Sequence, residues 1–360
     1  MAGPYWRSRG ARSNRAGYNP APMRLSHRPL DLRLRHTFRI ARGASDVRQN
    51  VLVEIEDGGY VGRGEAAPIK RYGEDQDSAG SAVEQMAARL GDVRTFATAA
   101  ARAAVPGQRS AEAAVDIALH DLAGQRLQVP LYALFGLDPR EGPPTSFTIG
   151  IDAPDVVAQK VREASDFEIL KIKMGSADDR EVLTAVRDTT DRLLRVDANE
   201  GWTIESARER LPWLHALGVE FVEQPLPADR LEETRALRRE SPLPFYADES
   251  VHRAEDIPRL AGAFDGINIK LMKCGGLGEA LRMIAVARAH GLKVMLGCMI
   301  ESSIAITAAA HLLPLVDAAD LDGSVLLAHD PFEGAVIRGG RFSLPDAPGL
   351  GVKPRDSGAW

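Results

Sequence analysis

Six ionisable residues close short apolar runs in this chain: Lys171 and Lys173 in Lys-Ile-Lys, Asp197 in Asp-Ala-Asn, Glu223 in Glu-Gln-Pro, Asp248 in Asp-Glu-Ser and Lys270 in Asn-Ile-Lys. Asp197, Glu223, Asp248 and Lys270 follow one another at steps of 26, 25 and 22 residues, each the length of one strand plus one helix. Three carboxylates brought together repel unless a cation joins them. An all-oxygen donor set without Cys or His suits a hard ion, and so few carboxylates suit Mg²⁺ better than a calcium cage. Amines beside such an ion have their charged form disfavoured, so Lys173 and Lys270 become candidate bases near neutrality. Any one of these acids alone could equally cap a helix or sit on the surface. Three at successive run ends point to a shared centre.

The elements that must position them are legible. Eight apolar runs alternate with amphipathic helical stretches: Ser146–Gly150, Ile169–Met174, Leu193–Asp197, Val219–Glu223, Pro244–Asp248, Gly266–Leu271, Lys293–Gly297 and Ala319–Asp322. Repeating βα units make a parallel sheet, and eight of them close a (β/α)₈ barrel of the TIM type. Side chains at the ends of neighbouring strands then converge at the C-terminal mouth, where barrels place their chemistry. Lys171 and Lys173, two apart on one strand, share a face. The segment is short for a complete barrel, so a (β/α)₇₋₈ form is expected, with the last helix truncated or replaced by the C-terminal tail. A doubly wound open sheet is the alternative, but no Gly-rich phosphate loop follows the first run.

Ahead of the repeats the pattern differs. Leu30, Leu32 and Leu34 alternate with polar residues, as do Val51, Val53 and Ile55, and Asp57-Gly58-Gly59 marks a hairpin turn. Alanine-rich helical sequence follows over 78–135, broken at Pro106-Gly107. Strands followed by helices describe an α+β domain. The expected division is a tail at 1–23, an α+β cap at 24–143, the barrel at 144–330 and a C-terminal segment at 331–360 that packs back on cap and barrel.

Met1–Leu30 holds six arginines and no acid. It reads as a disordered tail, or as an over-long start with Met23 as the initiator, in preference to a basic docking arm. It lacks the apolar stretch of a secretory signal. Net charge is −5, hydrophobic residues make up 44% and charged residues 26%. Such a balance gives no general attraction for nucleic acid or anionic membrane. Two cysteines, Cys274 and Cys298, indicate no disulfide framework and suit a reducing cytoplasm.

Taken together, K-x-K, D-A-N, E-Q-P, A-D-E-S and N-I-K-L-M-K-x-G-G resemble the enolase superfamily in its muconate lactonizing subgroup, from about Leu25 to Val352. Lysine bases working with Mg²⁺ are that superfamily's pattern. The resemblance implies Asp197, Glu223 and Asp248 as metal ligands, and Lys173 and Lys270 as bases on opposite faces of a substrate carbon. It implies Lys171 as the cation that helps hold the enolate oxygen. Members of this family often form symmetric assemblies, which leaves a homo-oligomer open.

Fold and half-reaction do not fix the substrate. The eighth run ends in Asp320-Leu321-Asp322, two acids suited to an ammonium group. This D-x-D resembles the motif with which dipeptide epimerases hold the substrate's amino terminus. The stretches 38–43 and 70–74 resemble the capping loops of Ala-Glu epimerases acting on murein peptides. On that resemblance Arg42 (with Arg39 as the alternative) would read a glutamate side chain, and Tyr72 and Met299 would lie against the substrate. Glu301 either tunes the site or caps a helix. The expected activity is epimerisation of L-Ala-L-Glu to L-Ala-D-Glu. The rivals are o-succinylbenzoate synthase or N-acylamino-acid racemase, muconate cycloisomerase, and a non-catalytic barrel.

Overall fold

The computed structural model describes residues 23–40, 43–91, 93–176 and 178–355. The expectation for residues 1–22 lies outside them, as does Arg42.

The cap opens with a three-stranded antiparallel sheet, β1 (Arg24–Ile40), β2 (Gly43–Asp57) and β3 (Tyr60–Ala66), in that spatial order. Gly58 and Gly59 both take positive φ, 60° and 84°, in the tight turn from β2 to β3. The pleat sorts the side chains. Val51, Val53 and Ile55 join the cap core, whereas Leu30, Leu32 and Leu52 belong to the core shared with the barrel. β1 starts earlier than the arginine-rich composition suggested: Arg24 to Leu30 pair with Glu56 to Asn50. As an edge strand it tolerates Pro29 and turns its arginines outward.

Three helices complete the cap: α1 (Gln76–Arg89), α2 (Phe96–Ala103) and α3 (Arg109–Leu127). Every residue of α3 from Ser110 to Gly124 is buried, because the helix lies between the cap sheet and the barrel. Its small residues allow close approach, and a Cβ at Gly62 or Gly64 of β3 would collide with the carbonyl oxygens of Ala118 and Ala114.

After α4 (Leu131–Leu134) come eight parallel strands: β4 (Phe147–Ile149), β5 (Ile169–Lys173), β6 (Leu193–Asp197), β7 (Val219–Glu223), β8 (Phe245–Ala247), β9 (Gly266–Lys270), β10 (Lys293–Gly297) and β11 (Ala318–Asp320). Three of the expected runs, at β6, β7 and β10, coincide with the observed strands, and the other five differ by one or two residues at an end. Hydrogen bonding follows chain order, and Thr145 bridges Ala319 in parallel, which joins the last strand to the first. Helices α5 (Pro154–Glu163), α6 (Asp179–Thr189), α7 (Ile204–Ala216), α8 (Leu231–Glu240), α9 (Ile257–Leu260), α10 (Leu271–Cys274), α11 (Leu277–Ala289) and α12 (Ser303–Ala310) fill the connections.

Among the described residues no α-helix follows β11. A single turn at Gly323–Leu326 leads into four short strands, β12 (Phe332–Glu333), β13 (Val336–Arg338), β14 (Arg341–Ser343) and β15 (Lys353–Pro354). The tail returns to the cap: Ala328 N donates to Arg33 O at 2.9 Å, Leu131 N to Gly349 O at 3.0 Å, and Leu350 N to Asp121 Oδ1 at 2.8 Å. Among the described residues no helix is long and apolar enough to cross a membrane, and both cysteines are free.

Candidate active site

A cavity of about 590 Å³ lies where the cap meets the strand ends of the barrel. Lys173, Asp248, Lys270, Met299, Asp320 and Asp322 line it from the barrel, and Tyr72 and Arg48 from the cap. Sequence reasoning placed Lys173, Lys270, Asp248, Asp320, Asp322, Met299 and Tyr72 in one site, and the fold brings these seven together. Arg39 is exposed and does not line the cavity.

Each strand aims its polar residues inward because its apolar ones face the helices. On β5, Leu170 and Ile172 join the core, while Lys171 and Lys173 point to the barrel interior. Lys171 lies deeper than Lys173 and is fully buried. Its Nζ is 3.2 Å from Asp197 Oδ2, 2.7 Å from Glu223 Oε2 and 2.7 Å from Asp320 Oδ2. Lys173 Nζ donates to Asp197 Oδ2 at 2.6 Å. Across the ring Lys270 Nζ donates to Asp248 Oδ2 at 2.8 Å, and Lys273 holds the other oxygen of the same carboxylate.

With acids as its nearest charged neighbours, Lys270 holds its proton more firmly than an ordinary lysine. Burial works against its charge, but Asp248 and Glu223 outweigh that. Lys171 is raised likewise, against burial, by Asp320, Glu223 and Asp197. The acids face the amines directly, so each carboxylate stabilises an ammonium.

The same pairings bear on metal binding. Among the described residues no three acid, His or Cys side chains form a ready metal cage, because the carboxylates turn onto lysines instead. The donor set nevertheless fits a hard cation by its chemistry. Three wholly buried carboxylates come from successive strands, and Glu223 is pushed up to about 7 by burial and then by the charge of Asp197. Glu223 Oε2, although near Lys171, receives no hydrogen bond of proper geometry. A buried carboxylate oxygen without a donor has a lone pair to give.

Backbone strain marks the same strand ends. Asn199, Glu200 and Gln224 take positive φ of 44°, 67° and 37°, directly after Asp197 and Glu223. Sequence reasoning gave Gln224 no role. Its Oε1 accepts from Asp248 N at 3.0 Å and Ser250 N at 3.1 Å, so it ties the end of β7 to that of β8. Lys273 was also missed, although its place before Gly275-Gly276 in the N-I-K-L-M-K-x-G-G motif was visible. Asn268 Nδ2, another residue of that motif, donates to Glu223 Oε1 at 2.8 Å.

The D-x-D acids are held from β4. Asp320 Oδ1 accepts from Ser146 Oγ at 2.6 Å, and Asp322 Oδ2 from Thr148 N at 2.6 Å. Burial would raise both, but Lys171 and Lys173 bring Asp320 below the usual carboxylate range. Asp322, without such a partner, is pushed up to about 7 by burial and by Asp320. Glu301 sits in the loop after β10 and accepts from Met299 N at 2.8 Å. Burial, then Glu65, pushes it up to about 8.

A capped eight-stranded barrel with acids on three successive strands and lysines on the second and sixth has the architecture of the enolase-type enzymes. Comparison with known proteins gives the family. Residues 27–136 match the mandelate racemase / muconate lactonizing enzyme N-terminal domain, and residues 155–358 match the enolase C-terminal domain-like family. The chain belongs to this family, within the enolase superfamily. It is 42% identical to an L-Ala-D/L-Glu epimerase of Bacteroides thetaiotaomicron over 92% of this chain and 88% of that one. It is 41% identical to an L-Ala-D/L-amino acid epimerase of Pedosphaera parvula over 92% and 99%. A crystal structure of a dipeptide epimerase from Cytophaga hutchinsonii, complexed with Mg and D-Ala-L-Val, matches with a TM-score of 0.88 at 30% identity, over 92% and 95%. The chain is accordingly an isomerase of the epimerase kind.

Proposed function

We propose that this protein is a Mg²⁺-dependent dipeptide epimerase that inverts the α-carbon of the C-terminal residue, with L-Ala-L-Glu to L-Ala-D-Glu as its reaction. The observation that carries the reading is the placement of Lys173 and Lys270. They lie on β5 and β9, four strands apart in either direction around an eight-stranded ring, and both line one cavity.

A proton next to a carboxylate is very weakly acidic, because its removal puts a second negative charge on that group. Asp197, Glu223 and Asp248 would hold Mg²⁺, which when bound supplies positive charge for the substrate carboxylate. Lys171 Nζ, kept charged by its acid neighbours, adds a fixed cation for the same oxygens. With one lysine neutral and its counterpart charged, the neutral amine takes the α-proton on its face. The opposite ammonium gives a proton to the other face, and the centre inverts. Running the roles in reverse restores the original isomer. Gln224 keeps Asp248 in place, and Ser146 and Thr148 aim the D-x-D pair at the substrate's ammonium group. Tyr72 and Met299 form part of the cavity wall against the dipeptide.

The substrate assignment draws on relatives whose names carry L-Ala at the amino-terminal position. A murein-peptide role in the cytoplasm follows from that chemistry. The working domain division is a cap at 24–143, a barrel at 144–330 and a returning segment at 331–360. NMR of candidate dipeptides in D₂O with Mg²⁺ tests the proposal. Absence of both α-deuterium exchange and inversion across a broad dipeptide library would remove it.

A further inference from the structure

The cavity contains more positive groups than the proposed chemistry uses. Lys173 and Lys270 are paired with Asp197 and Asp248, and Arg71 is paired with Glu200. Lys70 is exposed to water. Arg48 is different. It is half-buried, it lines the cavity, its Nε is sealed from solvent, and no hydrogen-bond acceptor reaches that Nε among the described residues. Burial pulls its pKa below that of an ordinary arginine.

Its direction is set by the pleat of the cap sheet. Arg48 lies opposite Leu32 in the β1–β2 register, and Asn50 lies opposite Leu30. Leu30, Leu32, Asn50 and Leu52 on this face are buried, the three leucines in the barrel-side core. Asn50 Nδ2 donates to Ile300 O, 3.2 Å away in the loop after β10. Arg48 therefore projects from the face of the cap that closes over the barrel mouth. A partly desolvated guanidinium whose buried Nε meets no acceptor among the described residues is costly unless a ligand completes it, and its planar fork matches a carboxylate two-pronged.

We infer that Arg48 is the specificity-determining residue that receives an acidic side chain on the substrate's C-terminal residue, which makes dipeptides ending in Glu or Asp the favoured class. This rests on the proposed epimerase activity and adds a residue and a selectivity to it. The α-carboxylate and α-carbon belong to the barrel residues, whereas the side chain extends toward the cap. Of the two arginines that the sequence offers for this role, Arg39 does not line the cavity and Arg42 lies outside the described residues.

The test is the ratio of kcat/KM for L-Ala-L-Glu to that for L-Ala-L-Met, measured on the Mg²⁺-loaded wild type, R48M and R48K. A charge-assisted pair of this kind gives a wild-type ratio above one and a fall of about 10- to 100-fold in R48M, carried mainly by KM. R48K, which keeps the charge and loses the fork, falls between them. The inference is overturned if the ratio in R48M stays within about 2-fold of wild type, or if the wild type itself prefers L-Ala-L-Met. Because a ratio cancels a general loss of folded enzyme, an R48M that is merely less active does not mimic the expected result. A wild type inert on every dipeptide is a separate outcome, which removes the epimerase reading and this inference with it.

Discussion

Asp320 Oδ2 lies 2.7 Å from Lys171 Nζ, so the acid that ends the eighth barrel strand is bonded to a cation on the second. The two acids of the D-x-D pair are therefore not equivalent. Asp320 helps hold the buried ammonium, whereas among the described residues Asp322 is anchored through Thr148 on β4. D320N should disturb Lys171 and lower kcat/KM by roughly 100-fold or more on every substrate, since it breaks a buried charge pair. D322N should lower it about 10-fold, and only for substrates with a free amino group. Comparing L-Ala-L-Glu with its N-acetyl derivative checks this. Equal losses on both would mean that Asp322 does not meet the ammonium, and efficient turnover of the N-acyl compound by wild type would favour the racemase rival.

The placement of Lys173 and Lys270 on β5 and β9 predicts separable half-reactions. K173A and K270A should each lose inversion by at least about 10³-fold, within the range expected for removing a general base. Each should retain α-proton exchange with one enantiomer, opposite between the two variants. ¹H NMR of L,L and L,D dipeptides in D₂O distinguishes the cases. Wild-type inversion in either variant would exclude a two-base mechanism.

The barrel was legible in the sequence because six of its eight strands are short apolar runs closed, or directly followed, by a charged residue. The charge at the strand end, not the apolar run, gave the phase of the repeat. The D-x-D pair was legible for the same reason. Strand Arg24–Leu30 was not, because an edge strand can turn arginines to solvent and so hides its alternation in a basic composition. The partners of the site residues were not legible either. Ser146 and Thr148 reach acids 172–174 residues away, which no local spacing encodes. Nor does the sequence say which acid meets which amine: it places both at one mouth, and the fold pairs Lys270 with Asp248.

Metal dependence follows from the buried acids. Removing Mg²⁺ with EDTA should abolish exchange as well as inversion, and added Mg²⁺ should restore both. Because the ion would bind the folded chain alone, a concentration 100-fold above its Kd should stabilise the protein by about 2.7 kcal/mol, which a thermal melt reads as a rise in Tm. D197N, E223Q or D248N should each lose that rise. A melt indifferent to Mg²⁺ in the wild type would count against the ligand assignment.

Glu301 offers a stability prediction independent of turnover. Burial, then the neighbouring Glu65, pushes its carboxyl up to about 8. An unfolded chain has no such burial, and its glutamate titrates near the ordinary value of about 4.3. Between these limits the folded state binds more protons than the unfolded one, so the slope of unfolding free energy with pH is negative. The stabilisation present below about pH 4.3 is lost as pH rises through 8. E301Q keeps an acceptor for Met299 N and carries no charge to bury. It should match wild type near pH 5 and exceed it by at least about 1 kcal/mol at pH 8.5, as measured by urea unfolding at each pH. Glu65 is also raised, to about 7, first by burial, and bonds to Ser302 in the same loop. Catalysis at pH 7 should change by less than about 3-fold, because Glu301 holds the loop that carries Met299 and does not line the cavity. Identical pH–stability curves for E301Q and wild type would show that this carboxyl is not forced to stay protonated in the folded chain.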